Sequence, residues 1–132
     1  MTDLPQVSMA VIVDGGRLLL IRRGTPEDGL VWALLGGAME PGETAEQAAV
    51  REALEETGLA VEATRLLGER VHPDTGRHIT YVACTVLGGS AGVASPREVS
   101  AVVWAGRDEV PRYVPRGLYP PVQAYLDGFL PQ

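Results

Sequence analysis

The chain has 132 residues, 45% hydrophobic and 21% charged, which suits one globular domain over residues 1–132 and excludes a disordered chain. A net charge of −6 argues against a nucleic-acid polyanion as the main partner, because phosphate backbones are held by surplus Lys and Arg. The single cysteine, Cys84, excludes an intrachain disulfide and lies in the apolar run YVACTVL as a core thiol. There is no apolar stretch long enough to span a membrane, and MTDLPQVSM lacks the layout of a secretion signal, so a cytoplasmic protein with no membrane partner is expected.

Residues 8–14 and 17–23 are β-rich runs joined by Asp14-Gly15-Gly16, a tight-turn signal that predicts the first hairpin of a mixed sheet. Arg22 and Arg23 end the second run. The turn-rich stretch GTPEDG leads to a short strand over 31–35, and WALLGG carries it into a glycine turn at Gly36 and Gly37. Thr44 with Gln47 forms a capping box and Gly58 a left-handed stop, so a helix of roughly three to four turns lies between them.

The end of that helix is unusual. Glu52, Glu55 and Glu56 fall within a roughly 100° arc of one face, where they repel one another and oppose the helix dipole. Arg51 is placed to pair with Glu55 at i+4, but Glu52 and Glu56 have no evident local partner. Clustered carboxylates of this kind hold hard divalent cations such as Mg2+ beside a substrate's phosphates; a solvated acidic helix end is the alternative.

Further along, residues 61–71 and 78–87 form a second hairpin around Pro73-Asp74-Thr75-Gly76, with His72 and His78 flanking the turn. A mobile loop of small residues over 88–96 precedes a strand over 99–105. A last helix over 118–130 places Val122, Tyr125, Leu126 and Phe129 at core spacing behind Pro120-Pro121.

Written out, the spacing is Gly37, five residues, Glu43, seven residues, Arg51-Glu52, two residues, Glu55-Glu56, one residue, Gly58-Leu59. Over 37–59 this resembles in full the Nudix box of the Nudix hydrolases, with Ala53 where a larger aliphatic residue is more frequent. The resemblance implies an α/β fold, the Nudix α/β/α sandwich with a mixed β-sheet between helices. It also implies hydrolysis, dependent on Mg2+ or Mn2+, of a nucleoside diphosphate linked to another group. The partner would be a small-molecule nucleotide, and the protein a monomer or homodimer.

By the same resemblance, Glu52, Glu55, Glu56 and the Gly36 carbonyl hold metal, and Arg51 ties Glu43 and Glu55 so that the ligands stay oriented. The general base is Glu55 or Glu98, the latter six residues before Trp104. Arg23 reaches substrate phosphate, and Arg77, in a hairpin similar to that of MutT-type members, lies at the base end of the pocket. Tyr119 stands where the member that clears oxidised guanine nucleotides has an asparagine. A tyrosine offers one hydroxyl and no two-point amide contact, so strong selectivity for 8-oxoguanine is not expected.

Three readings follow. The first is a MutT-type pyrophosphohydrolase that converts nucleoside (deoxy)triphosphates to monophosphate and pyrophosphate. The second keeps the chemistry on ADP-ribose or a nucleotide sugar, a reading to which Pro73, fifteen residues past Gly58, points. The third is a non-catalytic nucleotide-sensing module, against which the complete carboxylate set speaks.

Overall fold

The structure is a computed structural model that describes residues 6–25 and 29–131. Its framework comes from runs that bury both faces of a strand. In β1 (Val7–Asp14), Val7 and Val11 point to one side, and Ala10 and Ile12 to the other. In β2 (Arg17–Thr25), Leu18 and Leu20 alternate with Leu19 and Ile21, and all four are fully buried. A strand apolar on both faces must be covered on both, which is why the sheet needs helices above and below it.

The remaining elements are β3 (Gly29–Ala33), β4 (Leu35–Ala38), α1 (Ala45–Thr57), β5 (Ala60–Val71), β6 (His78–Gly88), β7 (Ala101–Ala105), α2 (Val110–Tyr113) and α3 (Pro120–Phe129). One core is closed by α1 through Ala49 and Ala53, and the other by Val110 of α2 with Val122, Tyr125 and Leu126 of α3. The result is an α/β/α sandwich. Ala53, where a larger aliphatic residue was the more frequent choice, is fully buried against the sheet.

The two N-terminal strands meet over only two register pairs, Val13 with Leu18 and Asp14 with Arg17. Beyond them the expected hairpin opens. β1 runs between β4, antiparallel, and β6, parallel, while β2 takes β3 and β7 as antiparallel partners. Opening the hairpin exposes the ends of β2 and β4 to α1. The stretch expected as one strand over 31–35 followed by a glycine turn is instead two strands broken at Leu34, with Gly36 and Gly37 inside β4.

Gly36 is required there on steric grounds. It pairs with Met9, and a Cβ would overlap the Ser8 carbonyl oxygen and stand 2.8 Å from Met9 Cα. The loop over 88–96, expected to be mobile, is tied to the end of α1. Ala94 N–H donates to the Glu56 carbonyl at 3.1 Å and Gly92 N–H to that of Thr57 at 3.0 Å. These bonds satisfy carbonyls that a helix C-terminus otherwise leaves open, and they bring Glu98 back beside the helix. The last strand begins at Ala101 rather than at 99, and the final helix is the shorter α3, preceded by the turn of α2.

Candidate active site

The capping box on α1 is complete, with Thr44 Oγ1 accepting from Gln47 N–H at 3.1 Å and Gln47 Oε1 from Thr44 N–H at 2.9 Å. It fixes the register of the helix, and the register sorts the acidic residues. Glu52 and Glu56, four apart, turn inward and are buried; Glu55 turns outward and is exposed.

Glu56 is 1% exposed. Its Oε1 accepts from Gly36 N–H at 3.1 Å, and Oε2 meets the Arg23 guanidinium at 3.1 Å. Burial pushes its carboxyl up to about 7, against the pull of Arg23 and with the neighbouring Glu52 adding to the rise. Arg23 also donates to the Gly36 carbonyl at 3.4 Å. The partner missing from the sequence reading of Glu56 is therefore Arg23, supplied by β2.

Arg51 gathers the other carboxylates. Nε and Nη2 make a two-point contact with Glu43 at 2.8 and 2.9 Å, Nη1 donates to Glu52 at 3.0 Å and Glu55 at 3.2 Å, and Nη2 also reaches the Ala38 carbonyl at 3.1 Å. These bonds, above all those to Glu43, hold the guanidinium firmly protonated, and hydrogen bonding from Arg51 lowers the Glu43 carboxyl to about 2. Glu52, also expected to lack a local partner, shares Arg51 with Glu43.

Glu98 completes the group. Carboxylate oxygens of Glu52, Glu56 and Glu98 lie within 4.8 Å of one another, beside a cavity lined by those of Glu52 and Glu98 together with Arg23, Gly36 and Gly37. Glu55 stands outside this trio, paired with Arg51. The donor set suits a hard divalent cation: it is all oxygen, two of its three members are buried, and the backbone leaves room for it. A Cβ at Gly37 would stand 2.7 Å from Glu52 Oε1, inside the space the carboxylate uses. Glu52, Glu56 and Glu98 are the residues that could hold such an ion.

A second cavity, of about 190 Å3, lies against the α3 side of the sheet and is lined by Met9, Trp32, Leu34, Arg70, His72, Tyr81 and Tyr119 among others. This volume is below the roughly 300–1,000 Å3 of pockets for whole drug-sized ligands, so it suits one ring system. Tyr119 stacks on Tyr81 with ring centroids 4.8 Å apart and donates its hydroxyl to the Glu69 carbonyl at 3.0 Å. The arginine on this wall is Arg70; Arg77 sits at the hairpin turn outside the lining. The sequence reading missed Arg70. Its signal was strand parity, since Gly68 and Arg70 share a face of β5.

The two cavities share no lining residue, but neighbouring stretches of one segment border them, Ala33 and Leu34 the ring-sized cavity and Gly36, Gly37 and Ala38 the acidic one. No described helix is long and apolar enough to cross a membrane.

Comparison with known proteins agrees with this geometry. The model of the NUDIX domain family matches residues 3–125. A MutT-like protein of Streptomyces ambofaciens is 41% identical over 111 residues, 81% of this chain and 68% of that protein. A protein of Bacillus subtilis described as a putative 8-oxo-dGTP diphosphatase is 33% identical over 106 residues, 79% of this chain and 67% of its own. The crystal structure of an ADP-ribose pyrophosphatase from Streptococcus suis superposes with a TM-score of 0.73 at 25% identity, covering 94% of this chain and 90% of that one. With the full box on α1 and the sandwich around it, the chain belongs to the Nudix family and is a hydrolase of pyrophosphate linkages in nucleotides or their derivatives.

Proposed function

We propose that the protein hydrolyses nucleoside and deoxynucleoside triphosphates to a monophosphate and pyrophosphate, with Mg2+, or Mn2+ in its place, at Glu52, Glu56 and Glu98. The observation that carries this reading is adjacency along one segment, which borders the acidic cavity at 36–38 and the cavity sized for one ring at 33–34. A base held in the second would lay its phosphates toward the first.

Bound there, the cation would neutralise phosphate charge and acidify water. The protein's own groups do the rest. Arg51 holds Glu52 and Glu43 in place through three of its hydrogen bonds, and Arg23, 37% exposed at its side chain, has donor capacity to spare for a phosphate oxygen. A carboxylate oxygen of Glu98, the exposed member of the trio, takes the proton from water as the water oxygen bonds to a phosphorus of the α–β linkage; the bridging P–O bond breaks, and monophosphate and pyrophosphate separate. Glu55 is the weaker candidate base because Arg51 already occupies it. Residues 1–132 act as one domain in this reading, with no nucleic-acid partner.

Cleavage of ADP-ribose or a nucleotide sugar is the second reading. It is favoured by the likeness to the Streptococcus suis protein. A panel of NTPs, dNTPs, 8-oxo-dGTP, ADP-ribose and nucleotide sugars, with products identified, separates the two. Monophosphate and pyrophosphate as the best reaction supports the first; AMP and ribose 5-phosphate as the best reaction replaces it with the second.

A further inference from the structure

The second cavity carries hydrogen-bond donors on its polar side chains. His72 Nδ1 accepts from the N–H groups of Asp74 at 3.1 Å and Thr75 at 3.4 Å, closing the turn at the end of β5. A neutral imidazole that accepts at Nδ1 carries its proton on Nε2, so the turn fixes the tautomer and makes His72 a donor in the cavity lining. Arg70 is the second donor. Its Nε bonds the Tyr81 hydroxyl at 3.2 Å and its guanidinium stands 5.1 Å from the Tyr119 ring centroid, which holds the planar fork against the aromatic pair. The Tyr81 oxygen accepts from Arg70 and so keeps its own proton to give. Among the described lining residues there is no Asp, Glu, Asn or Gln.

We propose that Arg70 and His72 are specificity-determining residues that select a nucleobase by an edge of hydrogen-bond acceptors, favouring guanine and hypoxanthine over adenine. The 6-oxo purines present O6 and N7, two adjacent acceptors that match an arginine fork, whereas adenine sets an N6 amino donor beside N7. A donor facing Arg70 and His72 leaves both sides unpaired, and this mismatch discriminates more strongly than a missing contact. The same logic disfavours 8-oxoguanine, whose N7 carries a proton. The inference rests on the proposed nucleotide reading for its ligand class, but it concerns base recognition and is tested by binding without turnover.

The test is calorimetric binding of GMP, IMP, AMP, 7-deaza-GMP and 8-oxo-dGMP to the metal-free protein. GMP and IMP are expected to bind about tenfold or more tightly than AMP, and 7-deaza-GMP and 8-oxo-dGMP about tenfold more weakly than GMP. His72→Asn keeps an oxygen to accept from the turn but is too short to place a donor where Nε2 stands. It should narrow the GMP to AMP ratio to about threefold with an unchanged melting temperature. Arg70→Lys, which keeps the charge and loses the fork, should narrow it likewise and serves if the first variant misfolds. Equal affinities, tighter AMP, no binding of GMP, or ratios unchanged in the folded variants would each overturn the proposal. Triphosphate cleavage without a base preference would overturn it alone. Cleavage of ADP-ribose as the best reaction, with GMP still favoured over AMP, would overturn only the triphosphate reading.

Discussion

Arg23 of β2 and Glu56 of α1, 33 residues apart in the chain, form an ion pair of 3.1 Å in which the carboxylate is buried and the guanidinium is partly open to solvent. The pair is unequal. Burial outweighs the arginine's pull and leaves the carboxyl raised to about 7. A buried acid with a raised pKa weakens folding as it ionises, so the stability of the metal-free protein should fall as pH rises from about 4.5, its ordinary value, to about 7.

Glu56→Gln follows from this. The amide can still accept from Gly36 N–H but cannot bind a cation as a carboxylate does. Turnover should drop by orders of magnitude while the metal-free variant melts at or above the wild-type temperature at pH 8, with the gap closing near pH 5. Melting curves over this range together with steady-state rates check it; near-normal turnover in saturating Mg2+ would remove Glu56 from the cation site.

Cation binding should itself be pH-dependent. A cation at Glu56 must displace the proton that burial favours, so affinity should rise with pH up to about 7 and level off above. Calorimetry of Mn2+ binding in buffers of differing ionisation enthalpy reports proton release directly. Equal affinity at pH 5.5 and 8 would show that Glu56 is not a ligand.

Arg51→Lys tests positioning. A lysine cannot reproduce the two-point contact with Glu43 while also holding Glu52. Turnover should fall by about tenfold to a hundredfold with little change in apparent substrate affinity. Glu43, lowered to about 2 by this arginine, gives stability that is present above about 4.5 and lost as pH falls toward 2; the variant should lose its stability at a higher pH on the acid side. Weakened affinity at unchanged turnover would place Arg51 on the substrate instead.

Adjacent glycines should behave differently. Gly36→Ala drives a Cβ into backbone of β1 and should cost several kcal/mol of stability, of the order expected for a strained or overpacked core. Gly37→Ala meets only the movable Glu52 carboxylate at 2.7 Å, so the protein should fold and lose about tenfold to a hundredfold in cation affinity. Thermal melts and Mn2+ titration of the two variants decide it.

The sequence by itself determined whatever depends on local spacing. The capping box at Thr44, the stop at Gly58 and the turn at Pro73-Asp74-Thr75-Gly76 are set by neighbours within a few residues, and each appears in the structure. The acidic end of α1 was legible too, because helical periodicity alone brings Glu52 and Glu56 onto one face. Only the tertiary structure decided who answers them. Arg23 arrives because β1 and β2 part after two register pairs, and Glu98 because the loop after β6 bonds to the end of α1; neither arrangement is encoded in contacts between sequence neighbours. Arg70 replaces Arg77 on the cavity wall for the same reason. Which face of β5 looks into the cavity is fixed by its packing against β6 and α3, and strand periodicity can name the two faces but cannot say which one is inside.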